Sequence, residues 1–269
     1  MGGVLPPPRA LLVDFGGVLV DGSPRSRSTS SSAPPELLRR LEVLVGDVVP
    51  VAQIARDLAD GARRYARWRD TVSNDPRPTE LSHEQVWGDV VAVDWPPAAR
   101  EAVRREATPL SYAWSWRDDW AVRPGIPEAL RAAAAAGLPL AVVSNALCGA
   151  AHRDFLAAAG LGDMFAVQLY SDEVGLRKPN PELAWRAAAA VGVPVEDCWF
   201  VGDTVDRDVR CARRAGAGAA VLMRSPRTDR ERPTPEQVAS PEAAPERVPD
   251  VVIDDGYGLR DLLDRAFGG

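Results

Sequence analysis

Three polar residues each close a short apolar run: Asp14 in LLVDFGGVL, Ser144 in AVVSNA and Asp203 in WFVGDTVDRD. A fourth, Lys178, stands in GLRKPNPEL, where Pro179 and Pro181 stiffen the chain just ahead of a helical pattern. These groups suit phosphoryl transfer. Asp14 and Asp203 supply the carboxylate pair that Mg²⁺ takes together with water and phosphate oxygens. An Asp carboxylate can also attack phosphorus and divide one hard step into two. Lys178 and Ser144 are of the types that hold the charged equatorial oxygens. The glycines Gly16 and Gly17 behind Asp14 let main-chain groups approach a metal or phosphate closely. Taken alone, LLVDFGGVL reads equally well as a strand ending in an Asp-initiated turn.

Lys178 stands out for another reason. The chain has 32 Lys plus Arg, and Lys178 is the one lysine among them. A sequence that uses Arg elsewhere and Lys once points to a place where a compact ammonium is needed rather than a planar fork.

The elements that must position these residues show from about Pro124 onward. Ala-rich helical segments close at Gly137, Gly160, Gly192 and Gly216, as glycine closes helices. Each is followed by an apolar run of strand length: LPLAVVSNA, MFAVQLYSD, CWFVGD and GAAVLM. Continuous rather than alternating apolar strands imply a sheet buried on both faces. Helix and strand in alternation imply an α/β fold with a doubly wound parallel sheet. In such sheets ligands bind at the carboxyl ends of the strands, where strand order reverses; Asp14, Ser144 and Asp203 are expected there, with Lys178 on the same rim. A final unit, DVVIDDGYGLRDLLDRAF, adds a strand and a helix.

The first strand, Ala10 to Val13, is separated from the next by an insert of helical patterns. The expected division is a core of residues 1–22 and 123–269 around a helical insert, 23–122. Pro24 to Pro35 is Ser/Pro-rich and reads as a hinge, and Arg224 to Pro249 reads as a mobile surface loop.

The chain has 269 residues and a formal net charge of -6. That balance attracts neither nucleic acid nor acidic membranes. Three cysteines without metal-ligand spacing and two distant histidines point to neither a disulfide scaffold nor a zinc site. No apolar run reaches membrane-span length, and the start of the chain is unlike a secretory signal. A cytoplasmic chain acting on a small molecule, without nucleic-acid or membrane partners, is the expectation.

In the order and spacing of VDFGGVL, VVSN, GLRKPNPE and FVGDTVDRDV…ARRAG, the sequence resembles the haloacid dehalogenase-like hydrolase superfamily, in its helical-cap, phosphatase-like branch. The resemblance covers the whole core. It implies Asp14 as nucleophile and Mg²⁺ ligand, the Gly16 carbonyl and Asp203 as further ligands, and Ser144 and Lys178 on the phosphoryl group. Asp208 would orient Lys178 or a metal-bound water, and the insert would close over the site. Asn145 is expected beside Ser144 in the phosphate pocket, with local turn bonding as its other role.

One departure bears on mechanism. Phosphatases of the superfamily commonly carry a proton-donating Asp two residues after the nucleophile; here that residue is Gly16. The leading reading is a Mg²⁺-dependent phosphatase forming an aspartyl-phosphate on a small phosphorylated metabolite. The alternatives are a non-catalytic or regulatory ligand-binding relative and, less favoured, a dehalogenase. Phosphonate cleavage through a lysine of the insert is excluded by the absence of lysine there. His83 with Glu84, and Asp21, are candidate surrogate acids. Arg63, Arg64, Arg67 and Arg69 read as a solvated helix face, with contact to an anionic substrate as the other option. Trp114, Trp116 and Trp120 read as packing where the insert rejoins the core.

Overall fold

The computed structural model describes residues 5–22, 34–228 and 245–268. Strand β1 (Ala10–Val13) is buried along its whole length. The chain then forms β2 (Val20–Gly22), which pairs antiparallel with β3 (Trp120–Val122). Between them lie α1 (Pro35–Val45), α2 (Val51–Val72), α3 (His83–Gln85), a π-helical turn (Val86–Val91), α4 (Pro97–Arg105) and α5 (Ala107–Ser115). This ribbon and α5 extend the sequence reading, which took the region of Trp114 to Trp120 as a plain return. The Ser/Pro-rich stretch expected as a hinge lies, except for its last two residues, outside the described residues.

The helices of the insert bury their own apolar stripe. Leu37, Leu41 and Val45 of α1 recur at i, i+4, and Ile54 and Leu58 of α2 meet them in a cluster with Trp87, Val103 and Leu110. Loop 78–80 then reaches the chain around Lys178. Glu80 N–H donates to the Gly175 carbonyl (3.0 Å), and Arg177 N–H to the Pro78 carbonyl (3.3 Å). Arg177 and Glu80 form an ion pair with side chains 2% and 1% exposed. Ser171 also donates to Glu80, at 2.6 Å.

Beyond the ribbon follow α6 (Ile126–Ala135), β4 (Leu140–Ser144), α7 (Gly149–Ala158), β5 (Val167–Tyr170), the short α8 (Ser171–Val174) and α9 (Glu182–Ala190). Then come β6 (Cys198–Gly202), a π-helical turn (Val205–Val209), α10 (Arg210–Ala215), β7 (Ala219–Met223), β8 (Val251–Ile253) and α11 (Gly256–Ala266). The six-stranded sheet has the order β5-β4-β1-β6-β7-β8, and its pairs are parallel. Strand residues alternate between two buried layers. Leu11, Val13, Val142 and Val201 pack with α6 and α11, while Leu12, Val143 and Phe200 pack with Leu183, Ala187 and Ala212 on the other face. The four helix-closing glycines all take positive φ, from 69° to 74°.

This topology determines where a site can form. The chain runs from β1 outward to β4 and β5, then returns to β6 on the other side of β1. Strand order therefore reverses around β1, and a crevice opens at its carboxyl end. Val13 is level with Val142 of β4 and Val201 of β6, so the residues just beyond them share one rim.

Candidate active site

Asp14 follows β1 and is 6% exposed; Ser144 closes β4 at 2%; Asp203 follows β6 and is fully buried. All three line one cavity of about 440 Å³, together with Asn145, Lys178 and Asp208. The rim expected from the sequence is assembled there.

Lys178 is the hub. Its Nζ lies 2.9 Å from Asp14 Oδ1 and 2.6 Å from Asp208 Oδ1, and it donates to the Val143 carbonyl at 2.8 Å. The ammonium thus has two carboxylates and one carbonyl within 2.9 Å. Burial works against the charge, but Asp14 and Asp208 outweigh it and hold the lysine above its ordinary value. Asp208 is held below the usual carboxylate range: burial opposes ionisation, and Lys178 overcomes it. Its other oxygen accepts from the Thr204 amide (2.9 Å) and the Thr204 hydroxyl (2.6 Å). The π-helical turn brings Asp208 back under the strand end.

Asn145 lines the cavity beside Ser144, and its side chain also bonds the backbone of Lys178. Its Nδ2 donates to the Lys178 carbonyl (3.0 Å), and its Oδ1 accepts from the Lys178 amide (2.7 Å). Both ends of the amide are engaged by the lysine backbone. In this arrangement Asn145 positions Lys178.

Asp203 is held by a segment that the sequence reading took as a mobile loop. Ser225 donates to Asp203 Oδ2 at 2.6 Å, and Thr228 donates to the Asp203 carbonyl at 2.5 Å. Residues 224–228 are therefore folded onto the strand edge, and Glu246 further on accepts from Arg210 and Arg214; residues 229–244 of that stretch lie outside those described. Burial pushes the Asp203 carboxyl up to about 7; Arg227 works against the rise, and Asp208 and Asp14 add to it. Gly17 makes the arrangement possible. At φ 86° a Cβ there would stand 2.0 Å from Asp203 Oδ2.

Asp14, Asp203 and Asp208 offer oxygens within 4.8 Å of one another. Asp203 Oδ1 is buried and has no hydrogen-bond partner among the described residues. Asp208 Oδ1 likewise has no hydrogen-bond partner among the described residues but lies 2.6 Å from the Lys178 ammonium, so the carboxylate cluster, with Asp203 Oδ1 open, fits a hard divalent cation such as Mg²⁺. Arg227 presently serves as counter-charge. Its Nη1 donates to the Gly16 carbonyl at 2.8 Å and lies 3.7 Å from Asp203 Oδ1. A Cβ on Gly16 would meet Arg227 Nη2 at 2.9 Å. A guanidinium thus borders the space that an acid on residue 16 would enter.

Of the surrogate acids, Asp21 lines the cavity; His83 and Glu84 are not among its lining residues. His83 is held by Thr108 Oγ1 (3.0 Å), the Leu147 carbonyl (2.7 Å) and Asp172 (3.3 Å). Burial pushes His152, which does line the cavity and stacks on Phe15 at 4.1 Å, down to about 3. It is neutral at pH 7. The tryptophans pack as expected: Trp114 against Trp87 at 5.3 Å, and Trp116 against Trp120 at 6.0 Å. Trp114 and Trp120 also line the cavity. The arginines of α2 diverge. Arg63 is 64% exposed and pairs with Asp60, Arg64 donates to the Val90 carbonyl at 2.8 Å, and Arg69 reaches the cavity.

Sequence reasoning missed Arg227, Ser225 and His152. Ser225 had a usable signal: it lies two residues beyond the end of β7, on the same carboxyl edge.

Known proteins resemble this chain in sequence and in fold. The chain is 40% identical to a phosphoserine phosphatase of Thermus thermophilus over 46% of each chain. It is 31% identical to a phosphoglycolate phosphatase of Pectobacterium atrosepticum over 77% of each. The chain thus spans less than half the length of the first of these relatives. A 2-haloacid dehalogenase from Pseudomonas syringae pv. Tomato shares the fold, with a TM-score of 0.60 at 18% identity over 96% of this chain and 98% of that one. The family of haloacid dehalogenase-like hydrolases matches residues 8–216. With its parallel sheet and its acids at the strand ends, the chain belongs to the haloacid dehalogenase-like hydrolases.

Proposed function

We propose that this chain is a Mg²⁺-dependent phosphatase of a small phosphorylated metabolite, working through a phosphoryl-aspartate on Asp14. The observation that carries the reading is the placement of Asp14 at the reversal point of the sheet, 2.9 Å from the Lys178 ammonium, with Asp203 beside it. Relatives named for phosphoserine and phosphoglycolate support a small phosphorylated substrate.

In this reading Asp14 attacks phosphorus and Lys178 neutralises the charge on the equatorial oxygens. Ser144, at the end of β4, holds one of those oxygens. Asp208 and Asn145 position Lys178. Asp14, Asp203 and the Gly16 carbonyl would hold Mg²⁺, which when bound supplies charge to the phosphoryl oxygens. Arg227, whose Nη1 meets the Gly16 carbonyl at 2.8 Å, stands beside this site on the side of the leaving oxygen. As a permanent cation it stabilises negative charge there without donating a proton. Leaving groups that carry charge well are therefore favoured. Residues 23–122 act as a helical cap over a core of 1–22 and 123–269. In this reading the enzyme is cytoplasmic and, with its acidic charge balance, has no nucleic-acid or membrane partner.

The test is turnover of p-nitrophenyl phosphate with Mg²⁺ and with excess chelator. Metal-dependent release supports the reading, and full activity in chelator overturns the metal assignment. A second reading, a ligand-binding relative without turnover, is favoured by one observation: Arg227 contacts the Gly16 carbonyl and approaches Asp203. Phosphate binding without release at any metal concentration would establish it.

A further inference from the structure

A second cavity, of about 500 Å³, adjoins the first and shares Arg69, Arg207 and Arg227 with it. Its lining is strongly cationic. Arg69 of α2, Arg177, Arg207 and Arg227 face it, against one acid, Asp70. Among the described residues several surface arginines each meet a carboxylate, as in Arg213 with Asp250 at 2.9 Å and Arg153 with Glu173 at 2.8 Å, whereas this cavity gathers four arginines around one lining acid.

The donors in this cavity are not all used internally. Arg69 Nε and Arg177 Nε are both buried and have no hydrogen-bond partner among the described residues. Both residues line the cavity, and because buried donors are ordinarily satisfied, each guanidinium keeps hydrogen-bonding capacity that the described residues do not use. Both guanidinium groups are fixed. The Arg69 group lies 5.1 Å over the Tyr65 ring, and the Arg177 group lies 5.1 Å over the Trp68 ring and pairs with Glu80. Burial works against the Arg69 charge; Tyr65 and Asp70 offset part of that, and Arg207 and Arg177 add to it. Fixed, underused and mutually repelling guanidinium groups form a receptor for an oxyanion.

We infer that this arginine-lined cavity binds a second anionic group, a carboxylate or phosphate, carried by the same molecule whose phosphoryl group meets Asp14. The inference rests on the proposed function and narrows its substrate to phosphate esters with an anion at the far end. Arg69 and Arg207 sit where the two cavities join and would read that anion; Arg177, held by Glu80, forms the wall behind it.

Matched substrates test it. 3-Phosphoglycerate and glycerol 3-phosphate differ in one carboxylate, and fructose 1,6-bisphosphate and fructose 6-phosphate in one phosphate. The expected result is that kcat/KM favours the charged member of at least one pair by about ten- to a hundredfold, the span of one or two charge-assisted hydrogen bonds. That ratio should collapse toward one in Arg69→Met and in Arg207→Met, each checked for folding by its melting curve. Which pair responds identifies the oxyanion. No preference in either pair, or a preference surviving both substitutions, overturns the inference. If no ester is hydrolysed at all, the proposed function fails, and the same ratios are read as dissociation constants by calorimetry on the Asp14→Asn protein. A ratio there that is tenfold and Arg69-dependent upholds the anion site; a ratio of one removes it.

Discussion

Placing an acid on residue 16 tests how this enzyme manages without one. In Gly16→Asp the new Cβ would stand 2.9 Å from Arg227 Nη2 and 3.0 Å from Nη1. Those atoms end a flexible side chain that is 45% exposed, so the guanidinium shifts and pairs with the new carboxylate. A general acid is worth roughly 10²–10⁴ in rate. An Asp beside an arginine has its pKa lowered by about 1–3 units, which reduces its protonated fraction by roughly 10–10³. Most of the gain is cancelled. Gly16→Asp alone should therefore speed bond breaking in alkyl phosphates by less than about tenfold. Adding Arg227→Met should restore a gain approaching the full 10²–10⁴ factor. The assay is a single-turnover measurement across esters of graded leaving-group pKa, which isolates phosphorylation of Asp14. The wild type should show a steep negative slope of log rate against leaving-group pKa, and the double variant a shallower one. A full gain from Gly16→Asp alone, or a flat wild-type slope with bond breaking rate-limiting, would refute the reasoning and turn attention to Asp21.

Three other outcomes follow from the geometry. Lys178→Arg keeps the charge but places a planar fork where Nζ sits within 2.9 Å of three acceptors, so turnover should fall by about 10² or more; an active variant would make the lone lysine incidental. Mg²⁺ should raise the melting temperature of the wild type but not of Asp203→Asn, and an equal shift in both would remove Asp203 from the metal site. His152, held down to about 3 by burial, is neutral when folded and becomes charged on unfolding below its ordinary 6.5. Its contribution is present above pH 6.5 and is lost as pH falls toward 3, so His152→Leu should flatten the acid limb of the melting curve, and an unchanged limb would contradict that burial.

The sheet was readable because its strands are buried on both faces. Continuous runs such as LAVVS and CWFVG leave few alternatives, and helix-closing glycines mark each crossover. The crevice followed from topology, so Asp14, Ser144, Lys178 and Asp203 could be placed before their contacts were known. Asn145 could not be. Whether an amide binds a ligand or a neighbouring backbone depends on where the Lys178 loop lies, and composition does not carry that. Arg227 and Ser225 were hidden by the Pro-, Glu- and Arg-rich stretch around them, which looks solvated whether or not its first residues fold back. Arg69 was one of several arginines on α2; only the rotation of the helix against the core separates it from Arg63. The ribbon of β2 and β3 is three residues per strand, too short to show a period.

If Asp14 accepts the phosphoryl group, that group can be caught on it. Mixing the enzyme with Mg²⁺ and a fast aryl phosphate, quenching in acid within the first turnover and weighing the peptide that contains Asp14 tests it most directly. A fraction of that peptide should be heavier by one phosphoryl group, and that fraction should be absent in Asp14→Asn, which is expected to fold but not to turn over. Turnover by Asp14→Asn at near the wild-type rate, with no phosphoryl group on residue 14 in either protein, would contradict it.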